Sequence, residues 1–310
     1  MSAMIGRLML LDSASLYFRA FYGVPDRRSS PQETPTNAVR GFLDMLASLV
    51  ATYRPTHLVA CWDDDWRPQF RVELIPTYKT HRLKDGSEVA EESPQELTPQ
   101  VPIIREALAA LGIPRVGAAG YEADDVIGTL ATMHGGAMAV DVVTGDRDLF
   151  QLVDDERRVR VIYTARGGVR DPDLVDQAFL AQKYAVPTGD AYADMSILRG
   201  DTSDGLPGVQ GIGEKTAARL IERYGSLAGL REAVDGGDPA IKGAQRARLE
   251  AGAAYLDVAP RVVRVAHDVP VPEVDLALPH EPVDPAAMSR LAVEHGLTSS
   301  FDRVLSALGR

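Results

Sequence analysis

An alternation of short apolar runs with helical patterns constrains the fold of this 310-residue chain more than any other feature. Five runs have the length and apolar character of buried strands: 8–11, 57–62, 113–116, 139–144 and 159–163. Apolar residues recur at helical spacing between them, most clearly in 36–53, 99–111 and 121–133, and further helices are expected after Asp12 and from Asp148. The alternation predicts an α/β fold whose mostly parallel sheet is covered by helices on both faces.

Two later parts of the chain depart from this alternation. Residues 84–100, called the polar segment below, read KDGSEVAEESPQELTPQ and are almost without apolar side chains. A long segment of this kind inside a compact domain is expected to be functional or mobile. From about residue 171 the pattern becomes mainly helical. We therefore expect an α/β core over 1–204 and a helical region over 205–310 that packs on it.

Composition excludes several classes of protein. Cys61 is the only cysteine, which excludes an internal disulfide and cysteine-based zinc modules, and the six histidines show no metal-binding spacing. No apolar run approaches the ~20 residues that a membrane helix needs. The apolar N-terminus meets Asp12 too early for a secretory signal, so we expect a cytoplasmic protein.

The net charge of −11 argues by itself against a nucleic-acid partner. The charge is unevenly distributed, however. Residues 1–205 carry 21 Lys and Arg against 30 Asp and Glu, whereas 206–248 carry 7 against 5. The acidity is thus concentrated in the predicted core, where it forms either a solvated surface or a site.

Carboxylates follow the predicted strands or open the helices beside them. There are nine: Asp12, Asp63, Glu122, Asp124, Asp125, Asp146, Asp148, Asp201 and Asp204. Ligands of such sheets bind at the carboxyl ends of the strands, so we expect these side chains on one rim. Divalent cations would relieve their repulsion, and oxygen ligands without His or Cys favour Mg²⁺ or Mn²⁺. Two such ions about 4 Å apart can hold a phosphodiester.

Each acid also has a purely structural interpretation. Asp12 and Asp146 are suited to cap helices, Glu122 and Asp124 to complement a helix dipole, and 63–65 to form a solvated loop. The coincidence of all of them at strand and helix ends favours the metal site.

Basic residues accompany the acids. Lys79 and Arg82, in YKTHR, have i, i+3 spacing and would share a face if helical. Cations of this kind draw in and polarise a phosphate beside metal ions. Arg19, in the helix after Asp12, is a further candidate for the same site. A solvated charge run is the alternative.

A glycine-rich segment, LPGVQGIGEKTAARL, begins at Leu206. The extra Glu214 breaks P-loop spacing, and the order of glycines is not that of a dinucleotide fingerprint. A helix–hairpin–helix remains, in which backbone amides at the start of a helix bind phosphate oxygens without reading sequence. Its candidate DNA-contacting residues are Gly208, Gly211, Gly213, Lys215 and Thr216.

Six motifs in this order resemble the bacterial 5′-nuclease family, which includes the 5′ exonuclease domain of DNA polymerase I and stand-alone flap endonucleases. They read LLDSASLYFRAFYG, CWD followed by FR, YKTHR, GYEADDVIGTLA, TGDRDLFQLV and LRGDTSDGLPGVQGIGEKTA. The resemblance extends from about Leu8 to Arg223, and more loosely to the end.

The resemblance implies a PIN-like α/β fold with a helical arch over about 79–100 and a helix–three-turn–helix motif over about 205–225. It implies Mg²⁺- or Mn²⁺-dependent cleavage of DNA at a 5′ single-stranded flap or end. We further expect a monomer that is associated with the bacterial nucleoid. By motif position the nine acids match the family's metal ligands, and Lys79 and Arg82 lie at the base of the arch. The glycine-rich turn would hold duplex DNA, often with K⁺ on its carbonyls. Phe18 and Arg147 are further expected DNA contacts.

The chain departs from the family pattern at four places. The loop after Asp63 is one residue longer, so Asp64 is an alternative ligand. Gly205 stands where Asn is more frequent, and Phe18 where Tyr is common. The polar segment, which would be the arch, is also unusually acidic.

Alternatives to a 5′ nuclease are a PIN-type ribonuclease, a haloacid-dehalogenase-like phosphatase and a catalytically inactive DNA-structure-binding paralogue. The ribonucleases are shorter and lack the hairpin motif. The phosphatases need Asp-x-Asp after the first strand, whereas Ser13 and Ala14 follow Asp12. An inactive paralogue would have lost some of the acids.

Overall fold

The structure, a computed structural model, describes residues 6–30, 32–88 and 90–309. A six-stranded sheet lies at its centre, in the order β3-β2-β1-β4-β5-β6. The strands are Arg7–Asp12 (β1), His57–Cys61 (β2), Arg115–Val116 (β3), Ala139–Thr144 (β4), Val159–Gly167 (β5) and Asp171–Val175 (β6). Neighbouring strands are parallel except β5 and β6. The strand order reverses between β1 and β4, which is where open sheets of this kind bind ligands.

Helices cover both faces of the sheet. They are Ser13–Gly23 (α1), Asn37–Tyr53 (α2), Gln69–Leu74 (α3), Gln100–Leu111 (α4), Ala123–His134 (α5), Gln177–Tyr184 (α6), Gly189–Arg199 (α7), Glu214–Tyr224 (α8), Leu227–Asp235 (α9), Gly243–Ala251 (α10), Ala253–Val263 (α11), Pro285–Glu294 (α12) and Thr298–Leu308 (α13). Short 3₁₀ turns span Thr80–Arg82, Asp148–Leu152 and Thr202–Asp204. The mixed α/β architecture predicted from the sequence is confirmed.

Alternation along β1 builds a core on each side of the sheet. Leu8 and Leu10 lie in one core with residues of α5, α7, α8 and α11, whereas Met9 and Leu11 lie in the other with residues of α2, α4 and α13. Phe301 and Val304 of α13 lie in this second core. The last two helices therefore complete the α/β core instead of belonging only to a separate helical region.

Strand β6 corrects the expectation of a helical chain from residue 171. Asp171–Val175 turns back at Gly168 and pairs antiparallel with β5. Its Asp171, Pro172 and Asp173 are disfavoured in strands, so the local sequence does not predict it. Pairing with an already formed edge overrides that preference.

The polar segment contains no helix in its described residues before α4, which corrects the expectation of a helical arch. It folds back as a ribbon, because the Lys84 amide donates to the Ala90 carbonyl at 2.8 Å and the Glu92 amide to the Arg82 carbonyl at 2.8 Å. Its Pro and Gly residues and lack of apolar periodicity account for the absence of a helix. None of the described helices is long and apolar enough to cross a membrane.

Candidate active site

The end of β1 places Asp12 at the carboxyl edge of the sheet, beside β4. Its Oδ1 accepts from the Ser15 amide at 3.1 Å and so caps α1, and its Oδ2 accepts from the Thr144 hydroxyl at 2.7 Å. The Gly145 amide donates to the Ser15 hydroxyl at 2.7 Å. These bonds join the ends of β1 and β4 at the point where the strand order reverses.

The loop after β4 presents two more acids to this edge. The Asp146 amide donates to the Thr144 hydroxyl at 2.9 Å, and the Asp148 amide donates to Asp146 Oδ1 at 2.9 Å. Asp148 then opens a 3₁₀ turn where a longer helix was expected. The compact turn keeps both carboxylates at the carboxyl edge.

Asp63 follows β2 and faces α5, where its Oδ1 accepts from the Ala123 amide at 2.8 Å. Asp64, the alternative ligand, points elsewhere. Its carboxylate is exposed and forms an ion pair with Arg115. The geometry therefore favours Asp63 over Asp64 as a member of the acidic cluster.

Glu122 begins α5 and is held from the YKTHR segment. Its carboxylate accepts from Lys79 Nζ at 2.9 Å and from the Tyr78 hydroxyl at 2.9 and 3.1 Å. Burial would lower the pKa of Lys79, but the Glu122 carboxylate beside it holds that pKa well above its usual value. Lys79 itself has the left-handed backbone conformation, with φ 51°, at the start of a 3₁₀ turn, so it does not share a helix face with Arg82.

Arg82 connects the same segment to the acids near residue 204. Its Nη2 lies 2.7 Å from Asp204 Oδ1 and donates to the Ser203 carbonyl at 3.2 Å. Asp201 caps this turn, since it accepts from the Ser203 amide at 2.7 Å. Lys79 and Arg82 thus each contact one of the predicted acids: Lys79 binds Glu122, and Arg82 binds Asp204.

Gly205, one of the departures from the family pattern, is required by packing. Its φ is +71°, and a Cβ placed there would lie 2.2 Å from the Thr77 carbonyl oxygen. The Thr77 hydroxyl also donates to the Gly205 carbonyl at 2.9 Å. The YKTHR segment therefore lies too close for any side chain at this position.

Asp125 differs from the other acids. It is fully buried, and its two carboxylate oxygens face the guanidinium of Arg71 at 2.7 Å each. Burial would raise its pKa, but the hydrogen bonds and charge of Arg71 hold the pKa below its usual value. The expectation that Asp125 ligates a metal is not supported by this geometry.

The remaining carboxylates act on one another. Burial, together with the charge of Asp63, raises the pKa of Asp12 to about 7. Burial also raises the pKa of Asp124 and of Asp148, with Asp12 adding to the first and Asp146 to the second. The shared field places Asp12, Asp63, Asp124, Asp146 and Asp148 in one electronegative cluster.

The donor set fits a hard divalent cation in chemistry, because every candidate ligand is a carboxylate and the raised pKa values reflect burial first and the repulsion between neighbouring carboxylates second. No three of the His, Cys, Asp or Glu side chains in 6–30, 32–88 and 90–309 already stand in a metal-holding arrangement. The cluster thus has the ligands for such an ion without a closed coordination geometry.

The glycine-rich turn leads into α8 as the spacing indicates. Gly208 and Gly211 have positive φ, and Gly213 caps the helix in open space. Lys215 is exposed in the first turn, and Thr216 is partly exposed with its amide donating to the Gly213 carbonyl at 2.9 Å. The start of α8 is therefore open to an anion.

Three further predicted residues lie around the cluster. Phe18 packs on Tyr17 and lines a cavity of about 550 Å³ between α1 and the polar segment. Arg19 lies near the β5–β6 turn, where its Nη1 is 3.7 Å from a Cβ built on Gly168. Arg147 is exposed beside Tyr184. The structure does not bring Arg19 or Arg147 into contact with the carboxylates.

Comparison with known proteins identifies the family. Residues 7–185 match the model described as 5′-3′ exonuclease, N-terminal resolvase-like domain, and residues 187–285 match 5′-3′ exonuclease, C-terminal SAM fold. The chain belongs to the 5′–3′ exonuclease family. The two models divide it near residue 186, upstream of the boundary expected at 204.

Relatives named 5′-3′ exonuclease span the whole chain. The one from Streptomyces coelicolor is 57% identical over 303 residues, 97% of this chain and 99% of the relative. The one from Mycobacterium tuberculosis is 48% identical over 314 residues, 97% of each. The chain is thus a nuclease of this family, and the inactive-paralogue alternative has no support.

A solved structure shares the fold. The bacteriophage T5 D15 flap endonuclease, in a pseudo-enzyme-product complex with DNA and metal ions, superposes with a TM-score of 0.64 at 18% identity, over 98% of this chain and 100% of that one. The likeness confirms the expected architecture.

Sequence reasoning missed two arginines of this exonuclease. Arg71 is nearly fully buried, at 2% exposure, and the FR motif that contains it gave no indication that it pairs with Asp125. Arg248 of α10 donates to the Gly211 carbonyl at 3.2 Å and lies 37 residues away in sequence. Both contacts are long-range, so local spacing carries no signal for them.

Proposed function

We propose that the chain is a divalent-metal-dependent, structure-specific 5′ flap endonuclease and 5′–3′ exonuclease that hydrolyses DNA phosphodiesters, leaving 5′-phosphate and 3′-hydroxyl ends. The observation that supports it most is the carboxylate cluster at the strand-order reversal, in which burial and mutual repulsion raise several pKa values. Membership of the exonuclease family agrees with it.

Eight acids would hold the cations: Asp12, Asp63, Glu122, Asp124, Asp146, Asp148, Asp201 and Asp204. Asp146 is common to them electrostatically, because its charge acts on Asp12, Asp124, Asp148 and Asp204. Bound Mg²⁺ or Mn²⁺ supplies activation of water and stabilisation of charge at phosphorus.

The basic residues have separate tasks in this proposal. The Arg82 side chain is 35% exposed and that of Lys79 only 10%. Arg82 therefore faces an approaching phosphate, and its guanidinium can bind two oxygens at once. Lys79, being buried against Glu122, orients that carboxylate and contributes positive potential.

DNA would be held at a distance from the chemistry by α8. The free amides at its start and Lys215 suit phosphate oxygens of a duplex. A single-stranded 5′ end would pass beside Phe18 and the polar segment. The proposed role is the removal of flaps and primers in replication and repair, by a monomer in the bacterial nucleoid.

A labelled flap duplex tests the proposal. Wild type with Mg²⁺ or Mn²⁺ should cut near the flap junction, and Asp148→Ala should lower kcat by about 100-fold or more. Asp302→Ala, which removes an exposed carboxylate of α13, is the matched control and should keep wild-type activity. Tight binding of the flap by wild type without cutting would refute the proposal.

A further inference from the structure

The ion pair between Arg71 of α3 and Asp125 of α5 has no part in the proposed metal site. Besides the two bonds to Arg71, the Asp125 carboxylate accepts from the Glu122 amide at 3.2 Å and from the Ala266 amide at 2.8 Å. Four donors thus converge on its two oxygens, each of which has two lone-pair sites. No acceptor capacity remains for a cation.

The same pair joins the helical region to the nuclease core. Arg71 Nε donates to the Val262 carbonyl at 2.9 Å, in the last turn of α11, and Nη2 reaches the Arg264 carbonyl at 3.5 Å. A cation at this helix end and Asp125 in the first turn of α5 both complement helix dipoles. The pair therefore stabilises two helix ends that face each other.

The contact between these helices continues along α5. A Cβ on Gly128 would lie 2.6 Å from Val265 Cγ2, so the chain after α11 requires glycine there. The Thr129 hydroxyl donates to the Ala266 carbonyl at 3.3 Å and accepts from the Val269 amide at 3.1 Å. The segment after α11 is thus fastened to one face of α5.

We propose that Arg71 and Asp125 are positioning residues. The pair connects the helical region to the first turn of α5 and thereby keeps the side chains of Glu122 and Asp124 in place. Asp125 itself binds no metal. Only the step to catalysis rests on the proposed function. The route is short, because Asp125 accepts from the Glu122 amide and Glu122 bonds Lys79 and Tyr78. The Tyr78 ring also lies 6.0 Å from the Arg71 guanidinium.

Adjacent acids give the first test. Mn²⁺ binding, followed by calorimetry, should weaken about 100-fold or more in Asp124→Asn, which removes a proposed ligand, and no more than about tenfold in Asp125→Asn, which removes only a residue that positions ligands. The midpoint of thermal unfolding should instead fall by about 5–10 °C in Asp125→Asn, which leaves Arg71 buried without a counter-charge. Equal loss of Mn²⁺ affinity in both variants would overturn the proposal.

A second buried acid separates positioning from general stability. Asp141 is 1% exposed and is paired with Arg7 and Arg160 of the neighbouring strands. The midpoint of thermal unfolding should therefore fall by a similar amount in Asp141→Asn and in Asp125→Asn. At a temperature where both variants are folded, Asp125→Asn should lose about tenfold or more in kcat with KM for the flap unchanged. Asp141→Asn should keep both constants. The same kcat in the two variants would make the Arg71–Asp125 pair purely structural.

The Arg71→Lys variant keeps the positive charge but loses the bidentate hydrogen bond to Asp125. Amide hydrogen exchange of 122–125 should accelerate in it while β4 stays protected. Unchanged exchange at 122–125 would refute the fastening role. Amide hydrogen exchange and Mn²⁺ binding can both be measured without catalysis. If the proposed function is wrong, wild type will not cut the flap duplex, and this result is distinct from a failure of the positioning role.

Discussion

At the scale of one residue, the buried carboxylate of Asp12 lowers the stability of the metal-free fold when it is charged. Its pKa of about 7 in the folded protein exceeds the ordinary aspartate value of 3.8, chiefly through burial. A raised carboxylate pKa means that the folded state binds the proton more tightly than the unfolded state does. The stabilising effect of this proton is full below about pH 4 and lost as pH rises through 7. Above pH 7 the charged group destabilises the metal-free fold.

Asp12→Asn should therefore raise the unfolding midpoint of the metal-free protein by roughly 2–6 °C at pH 8, and by much less at pH 5. Asparagine can still cap α1 through its carbonyl oxygen and donate to Thr144. Thermal scans in EDTA at the two pH values measure this. An equal gain at both would show that charge is not the cause. Activity should be lost in the same variant, because a carboxylate of the cluster is gone.

The nine acids were predictable as a group, but not their individual partners. The position of each after a strand or at a helix start is a local property that spacing shows. Asp64 and Asp125 pair with Arg115 and Arg71, and these pairings join residues 51 and 54 positions apart. Packing decides such partners, so the sequence alone does not show that Asp125 is paired with Arg71.

Helix α8 illustrates what one element contributes. Its sequence alternates exposed Lys215 and Arg219 with buried Ala218 and Ile221, which gives a charged face opposite an apolar one. The apolar face packs in the core shared with α7, and the charged face is open beside the glycine-rich turn. The turn and the helix therefore form an anion-binding element whose position is set by the core.

Lys215→Ala should raise KM for a flap duplex about 3- to 10-fold with kcat unchanged. It should also lower the slope of log affinity against log salt by roughly 0.9, the effect of one lost phosphate contact. Lys183→Ala, on α6, is the matched control and should change neither value. Identical salt slopes for wild type and Lys215→Ala would place the DNA elsewhere.

For the whole molecule, the net charge of −11 causes repulsion between carboxylates, which bound cations would relieve. Much of that charge converges on one edge of the sheet, where folding brings together groups that repel each other. An ion that binds there only in the folded state stabilises the fold by mass action.

Millimolar Mn²⁺ or Mg²⁺ should accordingly raise the unfolding midpoint of wild type by several degrees, corresponding to about 3 kcal/mol at a hundredfold excess over the dissociation constant. Asp148→Ala should show a smaller shift. NaCl at equal ionic strength is the control for general screening. A shift reproduced by NaCl would mean that the carboxylates are a solvated surface.

The strand–helix alternation, the acids at strand ends and the glycine-rich start of α8 are all predictable from the sequence, because periodicity and turn chemistry act over a few residues. Contacts between distant parts of the chain are needed to explain the pairing of β6 with β5 and the packing of α12 and α13 in the core. They also decide which acids converge and which, like Asp125, are neutralised by a distant arginine. These outcomes depend on which surfaces meet in three dimensions, and neighbouring residues in the chain do not encode them.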